Sequence, residues 1–149
     1  MKKDRIYGLT KIFTEIILCV AVLALLSVPF WIGFIQAYYK THSENINFLI
    51  VKMIVSLMCS IAILWYIRKM LKTIVNDNPF TMVNVNSFGM IAIFCLIAAA
   101  VEMVNVVIYF SIASSIITVI FVVGYLLCMT LKHLFRQAVE YKEENDWTV

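Results

Sequence analysis

Two ionisable residues stand alone in long apolar stretches of this chain. Lys52 is the only formal charge between residues 47 and 67, and Glu102 is the only one between residues 78 and 131. Asn105 follows Glu102 at helical spacing and shares its face. An amine and a carboxylate in apolar surroundings form an ion pair, a proton relay or a polar ligand site, and charges at such depth mark a functional site by default.

The depths of Lys52 and Glu102 predict that they face each other. On helices rising 1.5 Å per residue, Lys52 lies about 7–8 Å and Glu102 about 12 Å from the same end of their segments. Two interpretations stay open: a structural pair that fixes one helix contact, or a proton- or ligand-coupled site. A third charge, Glu15, comes only four residues after Lys11. It is shallow enough to pair with basic residues near the membrane surface.

No other pattern in the chain predicts chemistry. Four cysteines occur, one in each apolar stretch: Cys19, Cys59, Cys95 and Cys128. None has metal-site spacing, and buried thiols behave as small apolar groups. Neither His42 nor His133 has a Cys, Asp or Glu at a ligand-like offset, and phosphate-loop, nucleophile-elbow and zinc-protease motifs are missing. We therefore expect no metal, no cofactor and no enzymatic activity.

The composition shows what surrounds these residues. Of 149 residues, 63% are hydrophobic and 14% charged, against about 45–50% and about 25% in soluble domains. A chain this short would not bury so much apolar surface in water. The composition excludes a soluble enzyme and a nucleic-acid-binding domain, and it indicates a membrane protein.

The apolar stretches divide into four spans. Each is long enough for a helix of about 20 residues, and none shows the alternation of a barrel strand. We predict one all-α, polytopic domain over residues 1–149, with transmembrane helices at about 12–38, 47–67, 88–110 and 114–131 and a tail at 132–149. The small residues Ala92 and Ala99, and the run from Ala98 to Ala100, are expected where helices pack closely.

Basic residues predict the orientation. Ten of the 12 Lys and Arg residues lie in the N-terminal segment, in the connection between the second and third spans, and in the tail. The connection between the first two spans has only Lys40, and residues 111–115, expected as the turn before the fourth span, have none. Basic residues stay in the cytoplasm, so both termini are predicted to be cytoplasmic.

The sequence also predicts a small cytoplasmic platform. The second helix should continue about two turns past the membrane, because its apolar positions keep a helical period. It should stop near the run Asn76-Asp77-Asn78-Pro79, where Pro79 cannot continue it. Asn78 would cap the third helix, with Pro79 as the first helical residue. The platform residues are Arg68, Lys69, Lys72, Asn78, Pro79, Phe80, Glu143, Glu144, Asp146 and Trp147. We expect the acidic tail to seek the basic residues, because acids at a helix C-terminus oppose the macrodipole.

These features resemble a known family. Four spans, the run Asn78-Pro79-Phe80-Thr81, and an acidic end closing in Asp146-Trp147-Thr148-Val149 resemble the bacterial membrane family called domain of unknown function 2975. Family members commonly end in Asp-Leu-Thr-Ile, so Trp147 and Val149 depart from the pattern while keeping its apolar character. The resemblance implies no activity, but members often accompany small Cro-like helix-turn-helix regulators.

We therefore expect a non-enzymatic regulatory protein of the bacterial cytoplasmic membrane. Its expected partners are the lipid bilayer and a cytoplasmic DNA-binding regulator, without direct binding to nucleic acid. The alternative is a small transporter, or a protector resembling bacteriocin-immunity proteins, that acts through Lys52 and Glu102. Platform substitutions should impair a regulator, whereas substitutions of the intramembrane pair should impair a transporter.

Overall fold

The computed structural model describes residues 2–38, 46–75, 79–109 and 112–147. Within these ranges, side chains are described except at residues 2–7, 31–32, 34–38, 46, 75, 109 and 146–147. The described chain forms four helices: α1 (Lys2–Tyr38), α2 (Ile46–Val75), α3 (Met82–Tyr109) and α4 (Ile112–Trp147).

Each helix contains an apolar segment long enough to cross a bilayer. The segments are Gly8–Phe30, Asn47–Ile74, Met82–Ile108 and Ile112–Asn145, with mean hydropathies between 2.3 and 2.6. Even α3, the shortest helix with 28 residues, is about 42 Å long, more than the roughly 30 Å of a hydrocarbon core. The prediction of an all-α protein with four transmembrane helices is confirmed.

The helices extend beyond the predicted spans at both polar ends. α1 includes the charged residues before position 12, and α4 continues through the acidic tail to Trp147. Lys, Glu, Gln and Ala are good helix formers, and Arg136 Nε lies 3.0 Å from Glu140 Oε1 one turn later. Helix α4 also begins at Ile112, so residues 112–115 are helical and do not form the predicted turn.

The predicted start of the third helix is wrong. The helix begins at Met82, and the Thr81 carbonyl accepts hydrogen bonds from the backbone N–H groups of Asn84 and Val85. Thr81 therefore takes the N-cap position that the sequence assigned to Asn78, which lies outside the described residues. Pro79 precedes the helix, and its carbonyl accepts a hydrogen bond from the Asn84 side chain at 2.6 Å, which holds the entry segment (residues 79–81) against α3.

The helices pack antiparallel, each against its neighbour in chain order. α1 lies against α2, α2 against α3, and α3 against α4. The core between the last three helices contains Met70, Ile91 and Cys95. The predicted small residues Ala92, Ala98 and Ala99 are buried on α3. Their small side chains allow the neighbouring helices to approach closely.

Candidate functional site

The two isolated charges form an ion pair between α2 and α3. Lys52 Nζ lies 2.8 Å from Glu102 Oε2, and the side chains are 14% and 4% exposed. Lys52 is six residues from the start of α2 and Glu102 seven from the end of α3, so both lie about 9–10 Å inside these helix ends. The predicted contact between them is confirmed. At such a depth each charge is costly without the other.

Two serine residues, one from α2 and one from α4, form hydrogen bonds with the pair. Ser56, one turn after Lys52 on α2, donates a hydrogen bond to Glu102 Oε1 at 3.2 Å. Lys52 Nζ also donates to Ser114 Oγ of α4, at 3.2 Å. The pair therefore connects three helices, because antiparallel packing brings the first turn of α4 beside the last turns of α3.

Asn105 joins the network through the same serine. Its side-chain Nδ2 donates to Ser114 Oγ at 2.7 Å, and the Ser114 carbonyl accepts a bond from Thr118 Oγ1 at 2.8 Å. Asn105 Oδ1 is buried without a hydrogen-bond partner among the described residues. The predicted grouping of Lys52, Glu102 and Asn105 is therefore present, and Ser114 is the partner that Lys52 and Asn105 share.

A cavity of about 480 Å³ opens beside the ion pair, between α1, α2 and α3. Its polar lining consists of Ser27, Lys52, Ser56 and Glu102, and its other lining residues are apolar. Ser27 Oγ donates to the Ala24 carbonyl of its own helix at 2.8 Å, so its lone pairs remain as acceptors. The volume is in the range of small-molecule sites, about 300–1,000 Å³.

Glu15 belongs to a separate ion pair at the other end of the molecule. Arg68 Nε lies 2.6 Å from Glu15 Oε1, and the Arg68 guanidinium lies 5.8 Å from the centre of the Trp65 ring. The prediction that Glu15 pairs with a basic residue near the surface is confirmed. The expected docking of the acidic tail on Arg68, Lys69 and Lys72 stays a prediction.

The remaining platform residues have different surroundings. Lys69 and Lys72 are exposed on α2. Phe80 lies 5.5 Å, ring centre to ring centre, from Phe135 of α4, which also contacts Phe88 of α3 at 4.9 Å. The segment before α3 therefore packs between helices, and Phe80 is a packing residue with an exposed edge.

A buried polar contact joins α2 and α3 at the end of the molecule where Phe80 lies. Asn84 is fully buried, and its Oδ1 accepts a hydrogen bond from Thr73 Oγ1 of α2 at 2.7 Å. Its Nδ2 donates to the Pro79 carbonyl. One amide therefore joins the end of α2, the entry segment and α3. Sequence analysis missed Asn84 because an asparagine near a helix start has the ordinary interpretation of a cap or turn residue.

The acidic part of the platform is the end of α4, which we call the acidic arm (residues 140–147). Val139 is buried, and every described side chain of the arm, including Glu143 and Glu144, is exposed. Asp146 and Trp147 are helical, and their side chains lie outside the described residues. The arm is thus a helical projection beyond the packed part of the protein.

Sequence analysis also missed the serines around the pair. Ser56 had a signal, since it follows Lys52 by four residues and shares its face. Ser27 and Ser114 had none, because their positions depend on how separate helices pack. Among the described residues, no group of three or more His, Cys, Asp and Glu side chains is placed to hold a metal ion.

Comparison with known proteins gives one match. The model of a family described as "Protein of unknown function (DUF2975)" matches residues 23–149, which cover all but the first part of α1. No curated protein and no solved structure matches the chain.

Proposed function

Because the chain belongs to the DUF2975 family of unknown function and has four helices that could span a membrane, we propose that it is a non-enzymatic regulatory protein of the bacterial cytoplasmic membrane. It binds a basic cytoplasmic protein through the acidic arm. One observation carries the proposal: α4 continues as helix to Trp147, with exposed side chains past Val139.

The charge of the arm selects the kind of partner. Its residues include Glu140, Glu143, Glu144 and Asp146, and only one basic residue, Lys142. Acids at a helix C-terminus face the negative end of the macrodipole, so a cationic partner relieves an unfavourable interaction. A DNA-binding surface has the required positive charge. A small helix-turn-helix regulator held by this surface would be kept from DNA.

The expected binding is reversible. Exposed ion pairs are each worth about 0–1 kcal/mol, and at physiological ionic strength they are screened beyond about 8 Å. A few such pairs give an interaction that competition with DNA can reverse. This property suits a regulator that is released from the membrane when conditions change.

A small transporter, or a protector resembling bacteriocin-immunity proteins, is the second candidate. The cavity beside Lys52 and Glu102 favours it. Two observations favour the first proposal over this one. Each described helix is continuous, whereas many transporters bind substrate at broken helices. The core around Met70, Ile91 and Cys95 is apolar and includes the neighbouring Tyr66 and Phe121, so the polar lining does not continue between α2, α3 and α4.

Photo-crosslinking in native membranes tests the proposed partner. A photoreactive residue at Glu144 should crosslink a soluble protein with a helix-turn-helix DNA-binding domain, identified by mass spectrometry. The matched control is the same residue at Thr130, which is exposed on the apolar part of α4 and should crosslink no such protein. A fusion reporter after Val149 must also report the cytoplasm. An external C-terminus, or crosslinks at Glu144 to lipid alone, would contradict the proposal.

Charge variants test the electrostatic argument in the same experiment. Reversal of two charges, Glu140→Lys with Glu143→Lys, should reduce the crosslink yield at Glu144 about tenfold, which corresponds to 1.4 kcal/mol. Lys142→Gln removes the only positive charge of the arm and should leave the yield equal or higher. Equal yields from the wild-type and reversed arms would show that charge does not select the partner.

A further inference from the structure

The cavity between α1, α2 and α3 is accessible from the apolar part of the protein. Its lining residues Ser27 and Val28 lie within the Gly8–Phe30 span, and Ser56 and Leu57 lie within the Asn47–Ile74 span. α1 forms one wall, and most of its other described side chains are exposed. The cavity thus lies at the level of the bilayer, and an apolar body fits the walls formed by residues such as Val28 and Leu57.

The hydrogen bonds of Lys52 leave one donor for this occupant. An ammonium group has three N–H donors. The described contacts of Nζ are an ion pair with Glu102 Oε2 and a hydrogen bond to Ser114 Oγ, which together use at most two of them. Because Lys52 also lines the cavity, its third N–H is available to an acceptor there.

The serines supply the complementary acceptors. Ser27 Oγ and Ser56 Oγ line the cavity and donate their own protons to the Ala24 carbonyl and to Glu102 Oε1. Their lone pairs remain free to accept. The polar side of the cavity therefore offers both a donor and acceptors, which is the pattern that a hydroxyl group satisfies at once.

The charges that line the cavity make an ionic occupant unfavourable. Lys52 and Glu102 neutralise each other at 2.8 Å, so an added anion or cation would bring an uncompensated charge to this depth, where it is unfavourable. We propose that the cavity binds a neutral, lipid-soluble alcohol from the bilayer. Its hydroxyl accepts a hydrogen bond from Lys52 Nζ and donates one to a serine oxygen, and its apolar body lies between α1 and α2.

The test uses the purified full chain in detergent and a long-chain primary alcohol that carries a photoreactive group and an alkyne tag. The matched probes are the carboxylic acid and the hydrocarbon with the same chain and tags. The alcohol should label peptides that contain residues 24–28 or 52–57, saturably and more strongly than either matched probe. Equal labelling by alcohol and hydrocarbon, or stronger labelling by the acid, would overturn the proposal. Labelling that does not saturate would also overturn it.

Substitution of Ser27 tests the site, and substitution of Ser60 is its matched control. Ser27→Ala removes a cavity acceptor and should weaken competition by the unlabelled alcohol about two- to tenfold, the range of one net hydrogen bond. Ser60 also bonds a carbonyl of its own helix, that of Ser56 at 2.9 Å, but it is not among the lining residues. Ser60→Ala should therefore leave the affinity unchanged. Equal effects of the two variants would overturn the assignment of the site.

A third variant tests the donor without stranding a charge. The double substitution Lys52→Met with Glu102→Gln removes both charges together, and we expect it to abolish the preference for alcohol over hydrocarbon. Ala24→Phe fills the cavity from α1 and should abolish saturable labelling, with the ion pair left intact. Persistence of the alcohol preference in the double variant would contradict the role of Lys52. None of these variants alters the acidic arm, so the result is independent of crosslinking at Glu144.

Discussion

Helices α1 and α3 have almost the same hydropathy and very different environments. The mean hydropathy of their spans is 2.4 and 2.6, yet 11% of an apolar 18-residue stretch of α1 is buried and 39% of the corresponding stretch of α3. In water the hydrophobic effect would bury both. In a bilayer the lipid is as apolar as the side chains, so hydrophobicity does not decide which helix occupies the centre.

Small and polar residues account for the difference. α3 buries Ala92, Ala98 and Ala99, together with the polar residues Asn84, Ser87, Glu102 and Asn105. α1 directs large apolar side chains outward, of which Phe30 is 87% exposed. Small residues permit close backbone approach, and polar residues find partners only between helices. The central helix of this protein is therefore the one with the residues that lipid solvates worst.

The ion pair of α3 should give the largest effect. Lys52→Met alone leaves Glu102 buried and unpaired, and breaking a buried pair costs about 3–5 kcal/mol. We expect a large loss of stability in thermal unfolding in detergent. Lys52→Met with Glu102→Gln should recover much of it, since no charge is left stranded, and so should the exchange Lys52→Glu with Glu102→Lys. Additive effects of the single substitutions would show that the two side chains do not interact.

A change of size should distinguish the two helices next. Ala98 is fully buried on α3, and Cys19 is exposed on α1. Ala98→Leu should destabilise by about 1–3 kcal/mol, the cost of overpacking, whereas Cys19→Leu should change stability by less than about 0.5 kcal/mol. Both are measured by the same unfolding experiment. Comparable losses from the two variants would mean that α1 has a packed face at Cys19.

Removal of a hydroxyl should give a contrast of similar size. Thr73→Val leaves the buried Oδ1 of Asn84 without its donor from α2, and a stranded buried acceptor costs about 1–3 kcal/mol. Thr14→Val is the matched control on α1, because Thr14 Oγ1 donates to the Thr10 carbonyl of its own helix and has no partner on another helix among the described residues. Urea midpoints of the two variants provide the comparison. If Thr14→Val were the more destabilising, α1 and not α3 would depend on polar contacts.

The ion pair that anchors α1 should matter least. Glu15 and Arg68 are 37% and 32% exposed, and pairs of this exposure contribute about 0–1 kcal/mol. Glu15→Gln should therefore lower the unfolding temperature only slightly, and added salt should lower the wild type toward the variant. Arg136 and Glu140 form a more exposed pair within one helix, so Glu140→Gln is a suitable control. A loss from Glu15→Gln as large as that from Lys52→Met would show that the anchor of α1 is buried.

The sequence by itself determined the environment, the number of spans and the existence of the central pair. Long apolar runs have few stable forms in lipid, and helices satisfy their backbone within each run. Because charges in these runs are rare and expensive, Lys52 and Glu102 stood out and their depths predicted contact. The expectation for Glu15 followed from the same argument.

Only the tertiary structure decided which residues surround the pair and how the polar ends are arranged. Ser27 and Ser114 come from helices far apart in sequence, and their contacts depend on rotation and register, which apolar composition leaves undefined. The N-cap of α3 is Thr81 and not the predicted Asn78. Here the long-range hydrogen bonds of Asn84 with Pro79 and Thr73 compete with local capping. Hydropathy predicts whether a segment lies in lipid or in water, whereas the packing of helices within lipid depends on side-chain shape and polar partners. Hydropathy therefore did not predict the central position of α3.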